Sequence, residues 1–143
     1  MREVLFRGKR VDNGQWIYGY YIKATHHWHN HGIHEDWIAT DTVQNGGWCN
    51  VRGKYAVIPE TVGQYTGLTD KNGKKIFEGD IVRHYHDKQF PESYSEGVVF
   101  WDEEYLRWKR TTNQSVNCCL GNDCVYEVIG NIHDNPELLE VGE

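Results

Sequence analysis

Five histidines fall within the nine residues HHWHNHGIH at positions 26–34, and imidazole nitrogen is the commonest protein ligand for a transition metal. On an extended strand His27, His29 and His31 share one face, because strand side chains alternate with period two. Glu35 or Asp36 would then supply oxygen to a zinc or nickel ion. The spacing matches no closed zinc motif and Gly32 interrupts the run, so a solvated loop is the expected state. A second pair, His84 and His86, flanks Tyr85. Two imidazoles on one side of a strand are two of the three ligands that a catalytic zinc site uses, but no third ligand is evident beside them. These five histidines are the metal candidates, and the expectation is a chain without a cofactor.

Three other groups of residues have chemistry to offer. Cys118, Cys119 and Cys124 lack the C-x-x-C spacing of redox and zinc-ribbon sites, so packing or free thiols are expected. Glu78-Gly79-Asp80 reads either as paired acids for proton transfer or as a bend. In the second case Gly79 supplies backbone freedom and Asp80 accepts a backbone N–H; the bend is the expected state. Tyr105-Leu106-Arg107-Trp108-Lys109-Arg110 interleaves rings and cations as single-strand nucleic-acid platforms do, which makes Arg107, Lys109 and Arg110 the nucleic-acid candidates. The competing description is a half-buried strand, with Arg107 and Lys109 outward and Leu106 and Trp108 inward. No G-x-S-x-G elbow, P-loop or dinucleotide fingerprint is present, so no enzyme is expected.

The elements that position these residues are mostly strands. Six Trp, nine Tyr and fifteen Gly stand against three Pro, a balance that favours strands and tight turns. No window carries the i, i+3, i+4, i+7 apolar pattern of a long amphipathic helix. Val4–Phe6, the turn Asp12-Asn13-Gly14 and Trp16–Ile22 read as a hairpin, with Trp16, Tyr18 and Tyr20 on one face and Ile17 and Tyr21 on the other. Further strands are expected at Trp37–Thr40, Tyr55–Ile58, Ile81–Val82, Gly97–Trp101, Tyr105–Lys109 and Tyr126–Ile132. Gln44–Gly53, with three glycines, reads as an irregular loop. Asn72-Gly73 marks a turn, and Asn135-Pro136 caps a single C-terminal helical turn.

The chain has 143 residues and a formal net charge of -6. That length is about one domain with a core of its own, and the charge argues against a generic DNA-coating protein. The first ten residues are basic and the tail from Ile132 is acidic, an unevenness that a solvated surface accounts for. Met1-Arg2-Glu3 leads into a mixed segment rather than an apolar leader, and no apolar run approaches the roughly 18 residues of a membrane span. A chain without membrane contact, in the cytoplasm, is therefore expected.

Three blocks carry a family resemblance. The stretch IPETVGQYTGLTDKNGKKIFEGDIV (58–82), the opening FRGKRVDNGQWIYGYYI and the close YEVIGNIHDNPELLE resemble the YopX family of phage and prophage proteins. The resemblance implies a mainly β protein with an SH3-like barrel, encoded by a phage or prophage and acting in the cytoplasm of the bacterial host. It supplies no reaction and no catalytic residues to carry over. The layout expected is one YopX-like unit, with an N-terminal β region over residues 1–62 and an SH3-like barrel with a short C-terminal helical turn over 63–143. The function expected is that of a non-enzymatic β module binding a phage or host protein, with residues 24–36 and 44–54 as candidate surfaces and self-association open to it. A nucleic-acid-binding module using Arg107, Lys109 and Arg110 with the basic N-terminal segment is the alternative. A metal-dependent enzyme built on the histidine cluster ranks last.

Overall fold

The computed structural model describes residues 4–23, 36–45, 48–85, 89, 92, 94–111, 118–120 and 125–139, with 41–45, 48–52, 118–119 and 139 described by backbone alone. The chain divides into two compact units, Met1–Gln64 and Tyr65–Glu143. Eleven strands and two 3-10 turns make up the described residues, and every strand pair is antiparallel.

In the first unit β1 (Phe6–Lys9) pairs with β2 (Trp16–Ile22), β2 with β3 (Asp36–Asn45), and β3 with β4 (Trp48–Val57). The β1–β2 connection follows from its turn residues. Gly14 adopts φ 69°, its N–H donates to Arg10 O, and Asn13 Oδ1 accepts the N–H of Gln15. Ile38, Ala39 and Val57 are buried here. Gly19 is required for β2 to lie against β3, because a Cβ at this position would come within 2.1 Å of the Ala39 carbonyl oxygen.

Of the expected irregular loop Gln44–Gly53, the described residues 44–45 and 48–53 stand in strands. The β3–β4 ladder runs through it, with Gln44 opposite Cys49 and Asn45 opposite Trp48. Gly53 belongs to the strand: it adopts φ 65°, and the Thr40 hydroxyl donates to its carbonyl. A Cβ there would meet Thr40 Oγ1 at 2.3 Å, so a glycine that reads as loop material serves as a local irregularity inside a ladder.

β5 (Gly63–Thr69) begins in the first unit beside β1 and runs into the second, where it pairs with β6 (Lys75–Phe77). The 71–73 turn between them closes on Gly73 alone at positive φ. Asp70 holds it, its Oδ1 accepting the N–H groups of Asn72 and Lys74 and its Oδ2 that of Val128. β7 (Asp80–Tyr85), β8 (Tyr94–Asp102), β9 (Arg107–Arg110), β10 (Cys118–Cys119) and β11 (Val125–Asn131) form a five-stranded sheet in the order β10-β9-β8-β7-β11. Its core is Ile76, Val82, Val99, Trp108 and Tyr126, with Leu68, Trp101, Leu120 and Val128 packed against it. Pro136–Leu139 forms the 3-10 turn expected near the C-terminus.

The fold is mainly β, as expected, in two antiparallel sheets of six and five strands. The expected barrel does not close. Among the described residues no ladder joins the end strands β10 and β11, and β10 offers only two residues to one. Among the described residues no helix is long and apolar enough to cross a membrane.

Candidate binding surface

The basic strand is arranged differently from the face expected of it. Lys109 Nζ lies 2.5 Å from Asp102 Oδ2, across the β8–β9 hairpin. That contact holds the Asp102 carboxyl below the usual carboxylate range, and the Lys109 ammonium also lies over the Tyr105 ring at 4.5 Å. Arg110 turns inward, on the same side as Trp108, and is 2 % exposed. Leu106, expected inward, stands in the turn at φ 53° and is 71 % exposed. Of the three cations Arg107 is the exposed one. Strand period placed Arg107 and Lys109 together, but the turn extends to Leu106 and so begins the inward row at Trp108.

Two of the sequence candidates meet in this unit. The Arg110 guanidinium donates from Nη2 to His84 Nδ1 at 2.9 Å, and the His84 ring packs on Tyr126 at 5.3 Å between centroids. A guanidinium has no lone pair to give, so His84 accepts through Nδ1 as a neutral imidazole. Arg110 Nε and Trp108 Nε1, both buried, have no hydrogen-bond partner. His86, His27, His29 and His31 lie outside the described residues, as do Cys124 and residues 24–35. Among the described residues no group of three or more His, Cys, Asp or Glu side chains is placed to hold a metal ion.

Glu78-Gly79-Asp80 forms the expected bend. Gly79 has φ 90°, its N–H donates to Val99 O and its carbonyl accepts from Ile132, while Asp80 Oδ2 accepts the Phe77 N–H at 2.8 Å. Burial pushes the Glu78 carboxyl above its ordinary value.

The most exposed described aromatic row lies elsewhere, on β2. Tyr18 is 47 % and Tyr20 55 % exposed, although β2 has a paired strand on each side. Register sets Trp16 opposite Lys9 and Tyr18 opposite Arg7 on β1, and Tyr20 opposite Ala39 on β3. Ala39 is in turn opposite Lys54 on β4. Directly opposed residues share a face, so Trp16, Tyr18 and Tyr20 rise beside Arg7, Lys9 and Lys54. The Arg7 guanidinium lies 4.5 Å from the Trp16 ring centroid and Lys9 Nζ 5.5 Å, while Lys54 Nζ lies 4.3 Å from that of Trp37. On the opposite face the Tyr21 hydroxyl donates to Asp36 Oδ2 at 2.6 Å and ties β2 to β3. Burial, then that hydrogen bond, pushes the Tyr21 phenol up to about 12. Alternation in WIYGYYI already set the three rings on one face; the cations beside them come from two other strands.

Comparison with known proteins agrees with the architecture. No curated protein matches the chain. The crystal structure of protein EF1440 from Enterococcus faecalis is similar to it with a TM-score of 0.60 at 24 % identity, covering 97 % of this chain and 99 % of that one. At that identity the likeness speaks for the fold. The model of the YopX protein family matches residues 5–140, nearly the whole chain, and the chain belongs to the YopX family.

Proposed function

We propose that the chain is a non-enzymatic binding module of a phage or prophage, acting in the cytoplasm of the bacterial host. Its working surface is the aromatic face of the first unit. The exposed pair Tyr18 and Tyr20 on an internal strand is the observation that carries this reading. Exposed aromatic rings on a surface cost solvation and recur where partners bind. The second unit we read as an SH3-like half-barrel. β8 pairs with β7 through Tyr94–Val98 and with β9 through Val99–Asp102, and a strand that changes partner along its length is how barrel corners are turned.

The test is capture from host cells on immobilised chain, run beside the double variant Tyr18→Ser/Tyr20→Ser, with and without nuclease. A macromolecule held by the wild type and released by the double variant supports the reading. Equal capture by both overturns it. A captured phage or host protein that survives nuclease is the outcome the sequence-based expectation names.

A further inference from the structure

Building on that reading of the first unit's face, we infer that its partner is a single-stranded nucleic acid, bound by stacking on Tyr18 and Tyr20 with its phosphates beside Lys54 and Lys9. Three features of the face lead there.

The first is ring spacing. Tyr18 and Tyr20 are two residues apart on one strand, about 7 Å at the ~3.4 Å rise of an antiparallel strand. That is about twice the ~3.4 Å rise of stacked bases, which gives each ring room for a base. Every base has a π-face, so such a platform needs no particular sequence.

The second is the floor between ring and cation. Tyr20, Ala39 and Lys54 form one row across β2, β3 and β4. Ala39 carries only a methyl group, so within this row one methyl lies between the Tyr20 and Lys54 positions. The strand separation of ~4.8 Å sets them roughly 10 Å apart. A base on the ring leaves its backbone directed along the row toward that cation. The row ends in a charge, which suits a phosphate rather than an apolar side chain.

The third is the distribution of charge. Residues 1–64 hold seven Lys and Arg against six Asp and Glu, plus five of the eight histidines; residues 65–143 hold eight against fifteen. The net charge of -6 therefore belongs to the second unit. On the face itself the described side chains include the cations Lys9 and Lys54, with Arg7 buried. The negative total that argued against nucleic acid does not apply to this face.

Fluorescence anisotropy with labelled 12-mers of thymidine and of uridine, beside a duplex of equal length, tests the inference on the full chain at low salt. Both single strands are expected to bind and the duplex to bind more weakly. Tyr20→Phe keeps the stacking ring and is expected to keep affinity, while Tyr20→Ser loses about tenfold or more. Lys54→Gln is expected to lower the slope of log K against log salt by about 0.7. Preference for one of the two 12-mers decides between DNA and RNA within the same chemistry. Failure of both single strands to bind overturns the inference, as does affinity unchanged in Tyr20→Ser. If neither 12-mer binds but the serine double variant releases a nuclease-resistant protein, the nucleic-acid inference falls and the binding-module reading stands.

Discussion

The two stretches richest in rings and cations, WIYGYYI with FRGK on β2 and β1 and YLRWKR at β9, have similar composition and opposite construction. At β9 one cation is matched by a carboxylate across its hairpin and another is buried against an imidazole. Elsewhere in the second unit the cations follow the same plan, with Lys71 on Glu127 and Arg83 on Glu96. On the first unit's face the cations lie against rings, and two tyrosines remain open to solvent. Lys54 is held over the Trp37 ring, and a ring neutralises no charge, so a cation held this way keeps its attraction for an anion. A cation against a carboxylate has lost most of it. Aromatic and basic composition thus marks where a binding face can form, and the partners across the sheet decide whether one does.

That contrast can be broken from either side. The largest effect is expected from Gly19→Ala, which drives a methyl group into the Ala39 carbonyl between Tyr18 and Tyr20. A loss of about 3 kcal/mol, read as a fall in Tm of about 10 °C, is expected in thermal unfolding. A variant as stable as the wild type would show that β2 and β3 can separate without cost. Next is His84→Leu, which leaves the buried Arg110 guanidinium without its acceptor. Urea unfolding should show a loss of about 2 kcal/mol, and an unchanged midpoint would mean that Arg110 does not need the imidazole.

A third experiment sharpens the first unit's side of the comparison. The Tyr21 phenol is raised in the folded state, so its contribution to stability is fully present below the ordinary tyrosine value near 10. It is lost as pH rises through about 12. Absorbance titration at alkaline pH should therefore show one late phenol, and Tyr21→Phe should remove it and cost about 1 kcal/mol at neutral pH. The smallest effect is expected from Asp102→Asn. The Asp102 carboxyl is depressed in the folded state by the hydrogen bond from Lys109. Its contribution is present above the ordinary carboxylate value and is lost as pH falls through the depressed one. The variant should flatten the acid limb of stability against pH while shifting Tm at neutral pH by about 1–2 °C. A steep acid limb that persists unchanged would place that titration on other carboxylates.

Much of the strand architecture was legible because period two and turn chemistry are local properties. The Asp12–Gly14 turn, the outward row of Trp16, Tyr18 and Tyr20, the bend at Gly79 and the Pro136 turn all follow from neighbours in the chain. The errors share a cause. Gly53 signals a loop by composition but stands inside a ladder, since its φ is set by Thr40 on the opposing strand. The turn after Asp102 runs to Leu106 because Asp102 Oδ1 accepts the N–H groups of Glu104 and Tyr105, and that moved Leu106 out, while Arg110 follows Trp108 inward by alternation.

The sequence by itself determined the family, the mainly β class and which residues of each strand share a face, because side-chain alternation is built into the extended backbone. Only the tertiary structure decided that Arg110 reaches His84, that Lys109 is held by Asp102, and that Lys54 stands across Ala39 from Tyr20. Each of these depends on strand register, which is set by long-range pairing between segments whose separation in sequence carries no record of which residue will face which.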